Sequence, residues 1–282
     1  MRLAEVPEAA DVFLVTLADL QVRTHTGGFT FDREAVATQF RHTLETGIFR
    51  VAVEDGRIIG ICAAVVRDHL WFLADFWTLP GRQDQKIGAP LLRQVWQEGV
   101  AQGATKFFVW ASPDLRALAL YMRLGMLPGC QMFNLAGRIV RPPSMPAGFG
   151  IRPFAAQEAA DIDLVVRGTR REVDHRFWQA EAGRQGWMLD RGGRPVGYVS
   201  MTEQRIGPLA WLDDEAGGAV LSLALREAAG FESAFITAPG VNHQAIQMAL
   251  DAGLRLSNTP HFLTTAPIGR LAQYVPSGTD LF

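Results

Sequence analysis

The apolar positions of this chain follow two rhythms, helical and strand-like, and the same succession runs through it twice. Pro7 to Leu20 and Asp32 to Leu44 carry apolar residues at helical spacing. Two short apolar runs, "FRVAVE" and "RIIGICAAVV", then meet at Asp55-Gly56, a hairpin signal because both turn residues tolerate positive φ. "LWFLADFWTL" predicts a third strand. It is followed by the polar stretch "RQDQKIGAPLLRQ", Arg82 to Gln94, which runs into a helix through Leu91, Leu92, Val95 and Trp96. "KFFVWA" predicts a further strand, and a helix from Asp114 to Leu124 ends at Gly125, a residue suited to a C-terminal cap.

The clearest break is "RPPSMPAGFG", Arg141 to Gly150, whose prolines and glycines suit neither a helix nor a central strand. Beyond it the order recurs. "GIRPF" predicts a strand, Ala155 to Val166 a helix, and "GWMLD" with "RPVGYVSM" a hairpin around Gly192-Gly193. "IGPLAWL" (strand), Val220 to Ala229 (helix), "SAFITA" (strand) and Asn242 to Ala252 (helix, closed by Gly253) complete it. "DGRIIG" (Asp55 to Gly60) parallels "GGRPVG" (Gly192 to Gly197), and "LYMRLGM" parallels "QMALDAGL". The anchor glycines stand 65 residues apart on the left (125 − 60) and 56 on the right (253 − 197). The expectation is two copies of one α/β unit, 1–140 and 151–282, joined by a linker at 141–150. The second copy is shortened between its hairpin and its last helix, where the polar motif would lie.

Composition narrows the function. The 282 residues are 48% hydrophobic and 20% charged with a formal net charge of −2, which describes a globular protein able to bury a core. Lysines and arginines are scattered rather than banked, which argues against nucleic acid as a partner. The N-terminal "MRLAEVPEAADVF" lacks both a basic region and a long apolar run, and no apolar run approaches a membrane span, so a cytoplasmic protein without a membrane partner is expected. Cys62 and Cys130 read as free thiols in apolar surroundings. The histidines at 25, 42, 69, 175, 243 and 261 form no compact ligand spacing, so no metal is expected. No G-x-S-x-G elbow or Cys-His signature supports covalent catalysis.

Chemistry concentrates at the polar motif. A helix start offers unpaired N–H groups and the positive end of a macrodipole, so it binds phosphate readily. Gly88 permits close backbone approach, Pro90 is tolerated in a first turn, and Arg82 and Lys86 add charge. The same pattern also fits a solvated connection. Its surroundings favour the cradle. "DFWTLPGRQDQKIGAPLL" followed by "SPDLRALALYMRLGM" resembles the GNAT superfamily of acyl-CoA-dependent N-acyltransferases, whose signature is Q/R-x-x-G-x-G/A after the fourth strand. Gln83 matches the first position and Gly88 the second glycine, while Lys86 replaces the first glycine. Lysine is tolerable there if its φ is negative. Downstream, Ser112, Ala117, Tyr121, Gly125 and Met126 match the family's helix pattern.

The resemblance implies two tandem GNAT-like domains, each a mostly antiparallel twisted sheet flanked by helices, in the α/β class. It implies that amides from Gln83, Gln85, Lys86, Ile87, Gly88 and Ala89 hold the CoA pyrophosphate. Trp77, Thr78 and Leu79 would meet the pantetheine arm on a strand splayed from its neighbour, with Ser112 nearby. Tyr121 matches the general acid that protonates the departing thiolate, and Asp75 falls where some relatives carry a base. His42 and Glu45 are further acids or bases that spacing does not place in the site, while Asp68 and His69 read as a turn. The implied co-substrate is acetyl-CoA or another acyl-CoA, and the implied partner a small-molecule or peptide amine, with room for a homodimer. The segment Gln21 to Phe31 is a candidate lining of the acceptor pocket. In the second copy "LDDEAGG" places three acids where the loop should be and Ala249 at the tyrosine position, which implies a degenerate half and one acyl-CoA site per chain. The rival functions are a non-catalytic acyl-CoA-binding or regulatory module, and a purely structural interaction protein.

Overall fold

The two N-terminal amphipathic stretches form α1 (Val6–Thr24) and α2 (Arg33–Thr46), and Asp32 caps the second by accepting from the Ala35 amide at 2.9 Å. β1 (Ile48–Glu54) and β2 (Arg57–Arg67) follow as the expected hairpin, with φ of 49° at Asp55 and 76° at Gly56. Asp68 sits at φ 50° in the turn to β3 (Leu70–Thr78). Next come α3 (Gly88–Ala101), β4 (Lys106–Ala111) and α4 (Leu115–Arg123). β1, β2 and β3 pair antiparallel, whereas β3 and β4 pair parallel. Strand alternation sorts β2 onto two faces. Ile61 and Ala63 pack with Phe13, Val36 and Phe40 of α1 and α2; Cys62 and Ala64 pack with Leu92, Val95 and Leu118 of α3 and α4.

The remaining elements, in chain order, are β5 (Leu127–Gly137), β6 (Phe149–Pro153), α5 (Ala156–Arg167), α6 (Glu172–Ala180), β7 (Gln185–Arg191) and β8 (Arg194–Met201). They continue with β9 (Arg205–Trp211), α7 (Asp214–Glu227), β10 (Ala234–Pro239), α8 (His243–Asp251), β11 (Arg255–Asn258), β12 (His261–Thr264) and β13 (Tyr274–Val275). The computed structural model describes residues 1–25, 30–180, 184–278 and 281–282. None of the described helices is long and apolar enough to cross a membrane.

Two compact units divide the chain, Met1–Leu127 with Leu263–Ala266, and Pro128–Phe262 with Pro267–Phe282. The division falls at the start of β5, after Leu127, and not in the proline-rich segment 141–150, so it departs from boundaries at 1–140 and 151–282. Hydrogen bonding is the reason. β5 runs antiparallel to β10, Met132 opposite Pro239 through Gly137 opposite Ala234, which places it in the second unit. In the first unit the Thr265 amide donates to the Phe107 carbonyl at 2.9 Å. In the second unit the sheet runs β5-β10-β9-β8-β7-β6, with β9 and β10 parallel and the remaining neighbours antiparallel.

The duplication is visible element by element. β1 and β7 are offset by 137 residues (185 − 48), while β4 and β10 (234 − 106), and α4 and α8 (243 − 115), are offset by 128. The shortening lies between the third strand of each copy and the helix after it: residues 79–87 in the first, 212–213 in the second. The C-terminal turns match as well. Met126 N–H donates to Tyr121 O at 3.1 Å, and Leu254 N–H donates to Ala249 O at 3.0 Å.

Candidate functional site

The first unit holds an opening between two parallel strands. β3 and β4 are paired only from Leu70 opposite Lys106 to Leu73 opposite Val109. Past that point β3 keeps its other neighbour, with Asp75 opposite Ala63 through Thr78 opposite Gly60. A bulge at Ala74, where Leu73 and Asp75 oppose consecutive residues of β2, marks the place where the strands part. The Leu79 amide donates to Ile59 O at 3.0 Å, so Leu79 faces β2. Alternation along an antiparallel ladder then turns Trp77 to β2 as well, and directs the N–H and C=O of Phe76 and Thr78 to the open edge. Of Trp77, Thr78 and Leu79, only Thr78 presents its backbone to the gap. The Trp77 ring packs edge-on against Phe13, 5.2 Å between centroids.

Where β3 ends, the loop 79–87 turns back into α3. Gln83 Nε2 donates to Thr78 O at 3.2 Å, and Gln83 Oε1 accepts from Arg116 Nη2 at 2.9 Å. Gln85 folds onto its own loop, donating to Gly81 O at 2.9 Å. Arg82 is paired with Glu54. Lys86 stands exposed at φ 62°. The condition of a negative φ is not met: the lysine holds the left-handed conformation a glycine would adopt, at a cost of about 1 kcal/mol. Ile87 follows at φ −80° and ψ −48°. Left- and right-handed residues in succession turn neighbouring amides into one concavity, the geometry of an anion nest. No side chain caps α3, which leaves the amides of Gly88 and Ala89 open. Gly88 is needed for a second reason. A Cβ there would stand 2.8 Å from Phe76 Cζ.

Tyr121 and Asp75 lie on opposite faces of β3. The Tyr121 ring is 6.2 Å from that of Phe76, in the core shared by α3 and α4. Burial, with smaller contributions from Cys62 and Asp114, pushes its phenol well above the ordinary value, so the hydroxyl keeps its proton. Asp75 is buried on the α1 side, where its Oδ1 accepts from Trp77 Nε1 at 3.0 Å. Ser112 is half-buried in the connection from β4 to α4. His42 is buried in α2, and Thr26 to Phe29 of the segment Gln21 to Phe31 lie outside the described residues. Arg116, which ties the loop to α4, carried no motif signal; only its place after Asp114 at a helix start hinted at it.

In the second unit every one of these features is closed. β9 and β10 pair only at Arg205 with Phe235 and Ile206 with Ile236, so the same gap begins. β13 fills it, Tyr274 opposite Ala210 and Val275 opposite Leu209, on the β9 edge that β8 does not use. Asn242, equivalent to Asp114 (242 − 114 = 128), donates from Nδ2 to Tyr274 O at 3.0 Å. Asp213 caps α7 by accepting from the Ala216 amide at 3.0 Å, and Arg191 donates to Asp213 at 2.6 Å and Glu215 at 2.9 Å. The helix start that would take an anion already holds a carboxylate.

A mixed sheet whose central parallel strands diverge beside a helix start defines an acetyltransferase-type α/β fold. The Acetyltransferase (GNAT) family model matches residues 14–126, within the first unit, and the fold of the chain is similar to that of solved GNAT proteins. A candidate acetyltransferase of Pyrococcus horikoshii aligns over 100% of this chain and 94% of its own, at 14% identity and a TM-score of 0.80. A GCN5-related N-acetyltransferase of Sphaerobacter thermophilus aligns over 100% and 96% (14% identity, TM-score 0.64). A tandem GNAT protein from the clavulanic acid biosynthesis pathway aligns over 94% and 96% (16% identity, TM-score 0.59). At these identities the likeness is one of fold. No curated protein matches the chain.

Proposed function

We propose that the protein transfers an acyl group, acetyl in the simplest case, from acyl-CoA to an amine by direct attack in a ternary complex. The observation that carries this is the open edge of β3 at Phe76 and Thr78, running into an uncapped helix start through a nest at Lys86 and Ile87. An extended pantetheine arm is a chain of amides that can bond such an edge. A pyrophosphate suits the nest and the amides of Ile87, Gly88 and Ala89. The family match to residues 14–126 supports the same substrate class.

The thioester would then lie between β3 and α4. Its carbonyl is polarised by an edge N–H, the amine attacks, and the tetrahedral intermediate expels the thiolate. Tyr121 supplies the proton to that thiolate, a role its raised pKa permits because the O–H persists at working pH. The amine approaches from the α1 side, where Asp75 takes its proton directly or through water. Ser112 borders the path of the arm. Only the first unit binds acyl-CoA, since β13 and Asp213 fill the equivalent places in the second.

Titration calorimetry with acetyl-CoA tests this reading, with one site per chain expected. Two sites would overturn the assignment of the second unit, and none would overturn the acyl-CoA reading itself. Transfer is read separately, by thiol release across a panel of primary amines. Binding without release to any amine would favour a binding module over an enzyme.

A further inference from the structure

Arg116 makes an unusual set of contacts for an exposed side chain. It lies at the start of α4 and reaches across to the loop after β3. Its Nη1 donates to Asp84 Oδ2 at 3.0 Å and its Nη2 to Gln83 Oε1 at 2.9 Å. On its own helix it donates to Asp114, from Nη2 to Oδ2 at 3.2 Å and from Nε to Oδ1 at 3.4 Å. Asp114 is held from the other side by Arg23 Nη1 at 3.2 Å. Through Gln83 the same guanidinium is linked to the Thr78 carbonyl on the open edge. One arginine thus connects the loop, the edge of β3 and α4.

The three acceptors are not equivalent. Asp114 is mostly buried, with 15% of its side chain exposed, and belongs to the helix cap; Gln83 is neutral and anchored on β3. Asp84 is 77% exposed and stands at φ 64° in the loop that would receive the phosphates. So exposed a pair contributes at most about 1 kcal/mol, whereas a guanidinium–phosphate fork is among the stronger charge-assisted contacts. Asp84 is also a negative charge placed where further negative charge must arrive. Of the neighbouring cations, Arg82 is paired with Glu54 and Lys86 is exposed in the nest.

We propose that Arg116 is a phosphate-binding residue held in reserve, exchanging Asp84 for a phosphate oxygen of CoA when the loop is loaded, so that Asp84 restrains CoA affinity. The inference rests on the acyl-CoA reading of this site. Gln83 and Asp114 keep the guanidinium aimed throughout, and only the Asp84 contact is traded.

The test is calorimetric titration with CoA of the full chain and of D84N, R116A, R116K and D84N/R116A. D84N is expected to bind about two- to fivefold more tightly, a sign that loss of a merely structural contact would not produce. R116A should bind about tenfold more weakly, with R116K intermediate because it keeps the charge and loses the fork. In the R116A background D84N should no longer matter. An unchanged or weakened D84N overturns the proposal, as does a D84N gain that persists without Arg116, which would be a bulk charge effect. If R116A fails to fold, R116K and the sign of the D84N change still decide. Failure of the unsubstituted protein to bind CoA would instead sink the acyl-CoA reading, a separate outcome.

Discussion

Gly88 and Phe76 are in contact because position 88 has no side chain: a Cβ there would lie 2.8 Å from the ring's Cζ and 3.7 Å from Thr78 Oγ1. The first turn of α3 thereby sits directly on the open segment of β3. Gly88→Ala should push the helix start off the ring, an overpacking cost of about 1–3 kcal/mol, and weaken CoA binding. Gly88→Asp adds a charge beside the phosphates and should abolish binding, whereas Asp213→Asn should leave the single-site stoichiometry untouched. Calorimetry of the three variants checks this; equal effects at 88 and 213 would contradict it.

Tyr121→Phe removes only the hydroxyl from a ring that packs on Phe76. Turnover should fall by about 10²-fold, in the range typical of a lost general acid, with CoA affinity nearly unchanged. Because the folded phenol is raised above its usual value of about 10, Tyr121 should produce no alkaline loss of rate at or below pH 10. Parallel loss of rate and affinity in steady-state and binding measurements would assign Tyr121 to packing instead.

Lys86 occupies a left-handed conformation at φ 62°, so Lys86→Gly should stabilise the fold by about 1 kcal/mol, read from the denaturation midpoint. CoA affinity should survive, since the amides of the nest do not depend on the side chain. Any loss should shrink as salt is raised, because the exposed ammonium acts through screened charge.

Acid should destabilise the second unit through a buried cluster. Asp163 accepts from Arg171 Nε at 2.7 Å and from Tyr198 Oη at 2.8 Å, and its Oδ2 lies 2.7 Å from His175 Nε2. Despite burial, which alone would raise it, Arg171 and His175 hold the Asp163 carboxyl well below the usual range. That stability is present above the unfolded carboxylate value of about 3.9 and is lost as pH falls toward the depressed folded one. Burial depresses His175 too, which favours its neutral form in the fold. Stability should therefore begin to decline below about pH 6.5, where the unfolded histidine takes up a proton and the folded one resists it. Denaturant titrations from pH 8 to pH 4 check the sign, and Asp163→Asn should cost about 3–5 kcal/mol by leaving buried Arg171 without its carboxylate.

By itself the sequence determined the order of α1 to α4, much of the matching series in the second copy, both hairpins and the place of the polar loop, because each rests on local periodicity and turn chemistry; α6 carried no such reading. "KFFVWA" is β4 residue for residue, and Asp55-Gly56 takes the positive φ its types allow. Gly125 and Gly253 end their helices at φ 87° and 109°. The sequence also marked the second copy as shortened, and the loop of 79–87 is indeed reduced to 212–213. Only the tertiary structure decided how the two gaps are used. Tyr274 and Val275 are too short a run to signal a strand, and their pairing with Leu209 and Ala210 joins segments more than sixty residues apart. β5, which begins "LPGC", gave no strand pattern at its start, so its membership of the second unit depended on β10. The direction of each β3 amide, the sign of φ at Lys86 and the grip of Arg116 on Gln83 and Asp84 were equally out of reach. Each is set by a neighbour distant in sequence, and local residue preferences carry no information about which neighbour that will be.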